Sequence, residues 1–158
     1  MPHLVALVGK ALVTDAGSLT PELERVLDTF SRLGREQTMQ ALVEYANRFP
    51  ELPDRFAALA ASEEHKVHEC MTPVALFSEV DGGRIHFYAD VPRNAPTIRA
   101  LLAILMSGLN GHPAEDVLAI PADFVSRLMR NVGLSTRERG LQAILARMKR
   151  HAREALAA

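Results

Sequence analysis

The chain has 158 residues, of which 48% are hydrophobic and 23% are charged. This length is that of one ordinary domain, and the hydrophobic share is enough for a core without disulfides. A net charge of -1 gives no general attraction to nucleic acid or to an anionic membrane surface, so neither is predicted as a partner. The single cysteine excludes an internal disulfide and suits a reducing compartment, so we predict a cytoplasmic protein.

Residues 1–18 are predicted to be an N-terminal extension, followed by a single domain over residues 19–158. The extension contains an apolar run over residues 3–13, which Lys10 interrupts and which has no basic segment before it, so it is not interpreted as a signal peptide. It is also shorter than the roughly 20 apolar residues that cross a bilayer. We interpret it as a strand or tail, and a homodimer formed through its apolar face stays open.

The domain begins with two predicted amphipathic helices. In the first, Thr20 is the predicted N-cap, Pro21 takes the first helical position and Glu22 lies near the positive end of the helix dipole. Gly34 separates it from the second helix. The inward face of the second helix is predicted to carry four apolar residues, Met39, Leu42, Val43 and Ala46.

The chain then leads to its only cysteine, Cys70. Pro50 and Pro53 end the helical pair, and the alanine-rich residues 54–64 predict a short helix before the cysteine. Free cysteine is often buried as a small hydrophobic residue, so a structural role is one interpretation of Cys70. If the thiol takes part in chemistry, it acts as a nucleophile, a lone metal ligand or a sulfur carrier.

After the cysteine, the pattern changes from helical to extended. Residues 74–80 and 84–90, separated by an Asp-Gly-Gly turn, predict a β-hairpin. Two strands alone are marginally stable, so helices must cover one face of the hairpin. Asn94 is predicted to cap a central helix over residues 95–109, which is apolar nearly all round and therefore buried.

The remaining residues are predicted to be helical. A short helix over residues 112–118 follows Gly111, a second begins at Pro121, and Gly133 ends this pair. Ser135 and Glu138 have the spacing of a capping box at the start of the last helix. Five basic residues of that helix are expected to form a mostly solvated face: Arg139, Arg147, Lys149, Arg150 and Arg153.

The order of these elements predicts an α+β domain with two layers. In it, a small antiparallel sheet of two to three strands packs against N-terminal and C-terminal helices.

The histidines near Cys70 raise a hypothesis about its reactivity. His68 lies two residues before Cys70 and His86 lies on the hairpin, so a Cys–His ion pair in which His68 supports the thiolate is one interpretation. Lys66 would act in the same direction, and Glu69 would oppose it. No zinc-binding spacing occurs in this segment, so neither a metal nor a cofactor is predicted.

Four short motifs occur in a characteristic order along the chain. They are Pro50-Glu51-Leu52-Pro53, Glu69-Cys70-Met71-Thr72-Pro73-Val74, Ala95-Pro96-Thr97-Ile98-Arg99 and Ser135-Thr136-Arg137-Glu138-Arg139-Gly140-Leu141. Together they resemble the SufE family of cysteine desulfuration proteins over residues 19–154. The resemblance implies a two-layer SufE-like fold.

The resemblance also implies an activity, which is sulfur transfer. SufE-like proteins accept persulfide sulfur from a PLP-dependent, SufS-type cysteine desulfurase and pass it to a SufBCD-type scaffold on which iron–sulfur clusters are assembled. Cys70 matches the sulfur-accepting cysteine. Arg137 matches an arginine of the last-helix motif with an electrostatic or partner-binding role, and Gly140 and Leu141 would pack beside it. The chain would then be an accessory sulfurtransferase and not a stand-alone enzyme.

This sequence departs from the common family pattern at three positions. Many members have glycine before the cysteine and serine two residues after it, where this chain has Glu69 and Thr72. Asn94 replaces an acid that often precedes the central helix. We interpret Glu69 and Pro73 as the pattern of one branch of the family, and no role of the missing acid is transferred to Asn94.

Two other functions remain compatible with these residues. A single-cysteine thiol redox enzyme would usually need a resolving thiol, and the chain has no second cysteine. A non-catalytic adaptor would stimulate a desulfurase through its surface, with Cys70 as a core residue. The carrier interpretation instead expects Cys70 in an exposed loop, with Met71 and Val74 as exposed apolar neighbours that dock on a partner.

Overall fold

The computed structural model describes residues 19–133 and 138–158, which form seven α-helices and one three-stranded antiparallel sheet. The predicted α+β class is confirmed. The predicted extension, residues 1–18, lies outside the described residues, and so do Ser135 and Arg137. The division of the chain into this extension and one domain therefore stays a prediction.

The sheet is formed by the middle of the chain, with helices before and after it. The elements are α1 Pro21–Arg32, α2 Arg35–Asn47, α3 Asp54–Ala57, a 3-10 turn Glu63–His65, β1 Ala75–Asp81, β2 Arg84–Asp90, α4 Pro96–Leu109, β3 His112–Pro113, α5 Ala114–Leu118, α6 Phe124–Leu128 and α7 Glu138–Ala157. None of the described helices is long and apolar enough to cross a membrane.

The predicted cap of α1 is confirmed, and it also joins two helices. The backbone N–H of Leu23 donates to Thr20 Oγ1 at 3.3 Å, and the Thr20 hydroxyl donates to the carbonyl of Gly108 in α4 at 2.9 Å. A Cβ atom on Gly108 would lie 2.5 Å from Leu23 Cγ. Glycine at position 108 therefore permits the close approach of α1 and α4.

The predicted inward face of α2 is partly wrong. Met39 and Val43 are 41% and 51% exposed, whereas Leu42 and Ala46 are buried as predicted. Thr38 joins the buried stripe, because residues four apart share the face that packs against α4. Its hydroxyl donates to the carbonyl of Gly34 at 2.8 Å, so the buried polar group has a partner.

The predicted hairpin is confirmed, with the first strand shifted by one residue. Gly82 and Gly83 have φ angles of 60° and 80°, which suit the two-residue turn of an antiparallel hairpin. Strand β2 lies between β1 and β3. In the register of β1 and β2, Leu76 lies opposite Ala89, and Ser78 lies opposite Phe87.

The predicted helix start at residue 112 is wrong, because the chain first adds a strand. His112 and Pro113 pair with the beginning of β2, and helix α5 starts only at Ala114. Gly111, with φ at 85°, turns the chain back, and its N–H donates to the carbonyl of Ile85 at 2.9 Å. Pro113 has an extended backbone and no N–H to donate, which an edge strand tolerates.

The central helix α4 is confirmed, but its predicted cap is not. The exposed Asn94 lies before Ala95, which occupies the N-cap position without a side-chain bond. At the other end, the side chain of Asn110 bonds to β2: its Oδ1 accepts from the Phe87 N–H at 2.8 Å, and its Nδ2 donates to the Phe87 carbonyl at 3.1 Å. This asparagine therefore ties the helix to the sheet.

Both faces of the sheet are covered. The face with Phe87 and Ala89 belongs to the main core, where α4 packs on β2 and α7 packs on β1. The opposite face is covered by α3, because Phe56 stacks on Phe77 with ring centroids 4.8 Å apart and lies 4.9 Å from the Tyr88 ring. The short segment before the cysteine thus has its own packing role.

The basic face of α7 is less solvated than predicted at two positions, Arg147 and Lys149. Lys149 is half-buried, and its Nζ donates to the carbonyl of Ile120 at 2.5 Å. Burial, with a smaller contribution from Arg153, lowers the pKa of Lys149. The exposed positions of Arg139, Arg150 and Arg153 agree with the prediction.

Candidate functional site

Cys70 lies in a loop whose two ends are held together at its base. The N–H of Val67 donates to the carbonyl of Val74 at 2.9 Å, and Lys66 forms an isolated bridge with Ala75 at the start of β1. Both valines are buried. The loop spans residues 67–74. Its two ends are therefore part of the folded core, and the tip of the loop projects from that core.

The thiol of Cys70 points inward while its neighbours face solvent. Cys70 is 8% exposed, and its N–H donates to the carbonyl of Val67 at 3.2 Å. Glu69 and Met71 on either side are exposed, with Met71 fully so at 103%. The residues beside Cys70 are exposed, as the carrier interpretation expects of this loop, while the sulfur itself is sheltered.

The two predicted docking residues beside Cys70 differ in exposure. The exposure of Met71 is confirmed, but Val74 is only 1% exposed. Val74 is buried because it forms the base of the loop, where its carbonyl bonds to Val67 and its side chain joins the core. Met71 is therefore the large apolar side chain that this loop offers to a partner.

The sulfur lies against the first turn of α7. A Cβ atom placed on Gly140 would be 3.2 Å from the Sγ of Cys70, so the helix backbone and the thiol are in close contact. Unpaired amide groups give the first turn of a helix a partial positive charge. Cys70 therefore lies beside the positive end of this helix dipole.

A cavity of about 750 Å³ adjoins the sulfur. It is lined by the tip of the cysteine loop, the start of α4 and the start of α7: Glu69, Cys70, Met71, Thr72, Pro73, Asn94, Ala95, Ile98, Arg139 and Gly140. The lining combines apolar side chains with one cation, Arg139, one acid, Glu69, one amide, Asn94, and one hydroxyl, Thr72. An additional sulfur atom on Cys70 would therefore have room beside these groups.

His68 is directed toward a glutamate. Its Nε2 lies 3.2 Å from the carbonyl oxygen of Glu63 and 3.4 Å from the Oε2 of the same residue. Lys66 also pairs with Glu63, with Nζ 3.0 Å from Oε1, and this pair lowers the pKa of Glu63. The side chains of Lys66 and His68 thus converge on Glu63, while support of the thiolate by His68 stays a prediction.

The other predicted site residues are placed as follows. His86 lies on β2 opposite Glu79. Arg137 lies outside the described residues, so its role also stays a prediction. Among residues 19–133 and 138–158, no three His, Cys, Asp or Glu side chains come together in a way that could hold a metal ion.

Two residues beside Cys70 were not predicted as site residues. Arg139 was assigned to the solvated face of the last helix, and Gly140 was considered only as a packing partner of Arg137. A signal for Gly140 is present in the sequence, since an interior helical glycine costs about 1 kcal/mol relative to alanine and often indicates a close approach. Arg139 differs from the other basic residues of α7 in belonging to the last-helix motif, but that motif does not indicate that Arg139 shares a cavity with Cys70.

Known proteins similar to this chain occur in Mycobacterium tuberculosis and in Synechocystis. SufE-like proteins from two strains of Mycobacterium tuberculosis are each 37% identical over 145 residues, which cover 90% of this chain and 99% of theirs. A SufE-like protein of Synechocystis is 23% identical over 147 residues, covering 92% of this chain and 89% of its own.

The fold also has a solved counterpart, and the chain matches a family description. The solution structure of a hypothetical protein from Thermus thermophilus has a TM-score of 0.76 and 34% identity, covering 89% of this chain and 100% of that chain. Residues 24–152 match the description "SufE: Fe-S metabolism associated domain". With most of its length covered by this match, the chain belongs to the SufE family and has a role in iron–sulfur metabolism.

Proposed function

We propose that this protein accepts sulfur on Cys70 from the persulfide of a PLP-dependent, SufS-type cysteine desulfurase and passes it to a SufBCD-type assembly scaffold. The observation that carries the proposal is the position of the chain's one thiol. It lies on a cavity of about 750 Å³, against the first turn of α7 and next to the fully exposed Met71.

The reaction is an exchange between a thiol and a persulfide. The Cys70 thiolate attacks the outer sulfur of the donor persulfide, a new S–S bond forms on Cys70, and the S–S bond of the donor breaks. The donor cysteine leaves as a thiolate, so no oxidant or reductant is consumed. Delivery repeats the same step, with a scaffold thiolate as the attacking group and Cys70 as the leaving group.

Access to the sulfur requires movement of the loop tip. Cys70 is buried, whereas the hydrogen bond between Val67 and Val74 fixes the base of the loop. Residues 68–73 can turn outward without breaking that bond, so docking of the donor need not disturb the core. In this proposal Met71 is the apolar contact that docks on the partner.

The proposal includes a reducing compartment, the cytoplasm. A lone thiol persists as a thiol where glutathione and thioredoxin systems are active. In an oxidising compartment, Cys70 would be exposed to mixed disulfide formation whenever the loop opened.

Intact mass spectrometry tests the carrier role directly. The protein and its Cys70→Ser variant are incubated with a SufS-type desulfurase and cysteine. We expect the wild type alone to gain about 32 mass units per sulfur atom and to lose them with reductant, as exchange at a thiol requires. A wild-type protein that gains no sulfur, although its thiol still reacts with an alkylating agent, would contradict the proposal.

The burial of Cys70 favours one second candidate, a non-catalytic adaptor. The thiol belongs to the main core and is only 8% exposed, as a purely structural cysteine would be. In that case the Cys70→Ser variant would still stimulate alanine production by the desulfurase as strongly as the wild type. The carrier role instead predicts that stimulation is lost with the thiol, so the same pair of proteins distinguishes the two functions.

A further inference from the structure

Gly140 occupies a helical position at which the backbone does not require glycine. Among the described residues, the glycines with positive φ are Gly82, Gly83, Gly111 and Gly133, and Gly140 is not one of them. Alanine is more favourable than glycine inside a helix. The reason for a glycine at this position must therefore come from its surroundings.

Among the described residues, the nearest of those surroundings is Cys70. The three atoms nearest to a Cβ placed on Gly140 are Sγ, Cα and Cβ of Cys70, at 3.2, 3.7 and 3.8 Å. The 3.2 Å separation is tighter than ordinary van der Waals contact, so a methyl group at position 140 would require Cys70 or α7 to shift by a few tenths of an ångström.

The cysteine loop is the element that would move. Helix α7 is anchored directly after Gly140, since Leu141 and Ile144 are fully buried. Its first residue, Glu138, also accepts a hydrogen bond from the Ser126 hydroxyl of α6. The tip of the cysteine loop is exposed on both sides of Cys70, and its hydrogen bonds are local ones, from the Cys70 N–H to the Val67 carbonyl and between His68 and Glu63.

We propose that Gly140 is a positioning residue: its missing side chain holds Cys70 in the closed arrangement, and a side chain at this position shifts the loop toward an arrangement with an accessible sulfur. Gly140 thereby controls how often the thiol faces a partner or the solvent. A second consequence rests on the proposed function: a persulfide on Cys70 is sheltered in the wild type and less sheltered when position 140 carries a methyl group.

The first test uses the protein without any partner. The alkylation rate of Cys70 by iodoacetamide is measured for the wild type and for Gly140→Ala and Gly140→Val. We expect the rate to rise by about threefold or more in the alanine variant, as overpacking of a tight contact shifts the loop equilibrium, and further in the valine variant. Gly34→Ala is the matched control, because a Cβ atom there would meet nothing within 4 Å.

Two results would overturn the proposal. One is an alkylation rate of Gly140→Ala that equals the rates of the wild type and Gly34→Ala. The other is a faster rate that increases with urea as steeply as global unfolding does, because the thiol would then react through the unfolded protein. An increase that is independent of low urea concentrations supports a local opening of the loop.

The second test concerns the carried sulfur. Wild type and Gly140→Ala are loaded with sulfur by a desulfurase and then exposed to a small thiol, and the loss of the added mass is followed over time. Faster loss from the variant supports the sheltering role of Gly140, and equal loss overturns it. If neither protein gains sulfur, the proposed function fails, while the alkylation test of Gly140 is unaffected.

Discussion

At the residue scale, Cys70 and His151 are two partly or fully buried side chains that contact helix α7 or belong to it. Cys70 lies against the backbone of Gly140, at the positive end of α7. His151 lies further along the same helix, with its Nδ1 2.6 Å from the Ser78 hydroxyl oxygen and its ring 6.3 Å from the Phe87 ring. One helix therefore contacts both the sulfur site and the sheet.

We predict that His151 makes the protein less stable as the pH falls. Burial is the largest cause of its lowered pKa; Glu154 opposes it, and Arg147, His65 and Arg150 lower the pKa further. Since the pKa in the folded state is below the usual 6.5, the unfolded chain binds the proton more readily. The stabilising contribution is complete above about pH 6.5 and is lost as the pH falls through the lower folded value.

Urea unfolding at pH 8 and at pH 5.5 measures this effect. The wild type is expected to lose more stability between the two pH values than His151→Gln, which has no titrating imidazole. His68→Gln is the matched control, since His68 is exposed and lies outside the core. Equal losses in the wild type and His151→Gln would contradict the assignment.

At the scale of elements, the side chain of Asn110 joins the central helix to the sheet by two hydrogen bonds to the backbone of β2. Asn110 uses its amide to bond both the N–H and the carbonyl of Phe87, as a neighbouring strand would. The sequence predicted that the central helix ends at residue 109, directly before Asn110. It did not predict that the asparagine would also satisfy the backbone of β2, because that bond joins two elements that are separate in the sequence.

We predict that Asn110→Ala destabilises the protein by about 1–3 kcal/mol, because the N–H and the carbonyl of Phe87 lose their side-chain partner. Asn110→Asp should be intermediate, since it retains the acceptor and loses the donor. Urea unfolding measures both. Asn47→Ala, a change at an exposed asparagine at the end of α2, serves as the control. A loss at Asn110 no larger than that at Asn47 would show that the two bonds contribute little.

At the scale of the whole molecule, a closed core leaves few large apolar side chains exposed. Met71 at the loop tip is fully exposed, and Val80 near the end of β1 is 51% exposed. The two residues belong to different parts of the surface, since Met71 lines the Cys70 cavity and Val80 does not. Only the surface around Met71 lies next to the thiol.

We predict that Met71→Glu slows sulfur uptake from the desulfurase by about tenfold, the effect of removing one well-placed apolar contact from an interface. The melting temperature should be unchanged, because a fully exposed side chain contributes little to folding. The uptake rate is measured by intact mass at several concentrations of desulfurase. Val80→Glu is the matched control and should leave uptake unchanged. Equal uptake by both variants would place docking elsewhere.

Most of the fold could be predicted, because it depends on patterns within short segments. The cap at Thr20, the glycine turn of the hairpin and the apolar central helix are all local, and each is present in the structure. The prediction of the inward face of α2 was wrong at Met39 and Val43, because apolar character alone does not determine which side of a helix packs against its neighbour.

The candidate site was predictable only in part. Its central residue, Cys70, was identified because the chain has no other cysteine, and the family resemblance assigned it a role. Its burial, its contact with Gly140 and the presence of Arg139 in the cavity wall were not predicted. Each of these depends on α7 folding back onto a loop that lies far from it in the sequence.

The sequence by itself determined the α+β class, the order of the elements, the family and the identity of the one thiol, because local periodicity, turn residues and motif order are properties of the chain. Only the tertiary structure decided that β3 exists, that Val74 is buried and that the sulfur of Cys70 faces inward against Gly140. Close packing is the physical reason: the direction in which a side chain points depends on which distant residues fill the space around it.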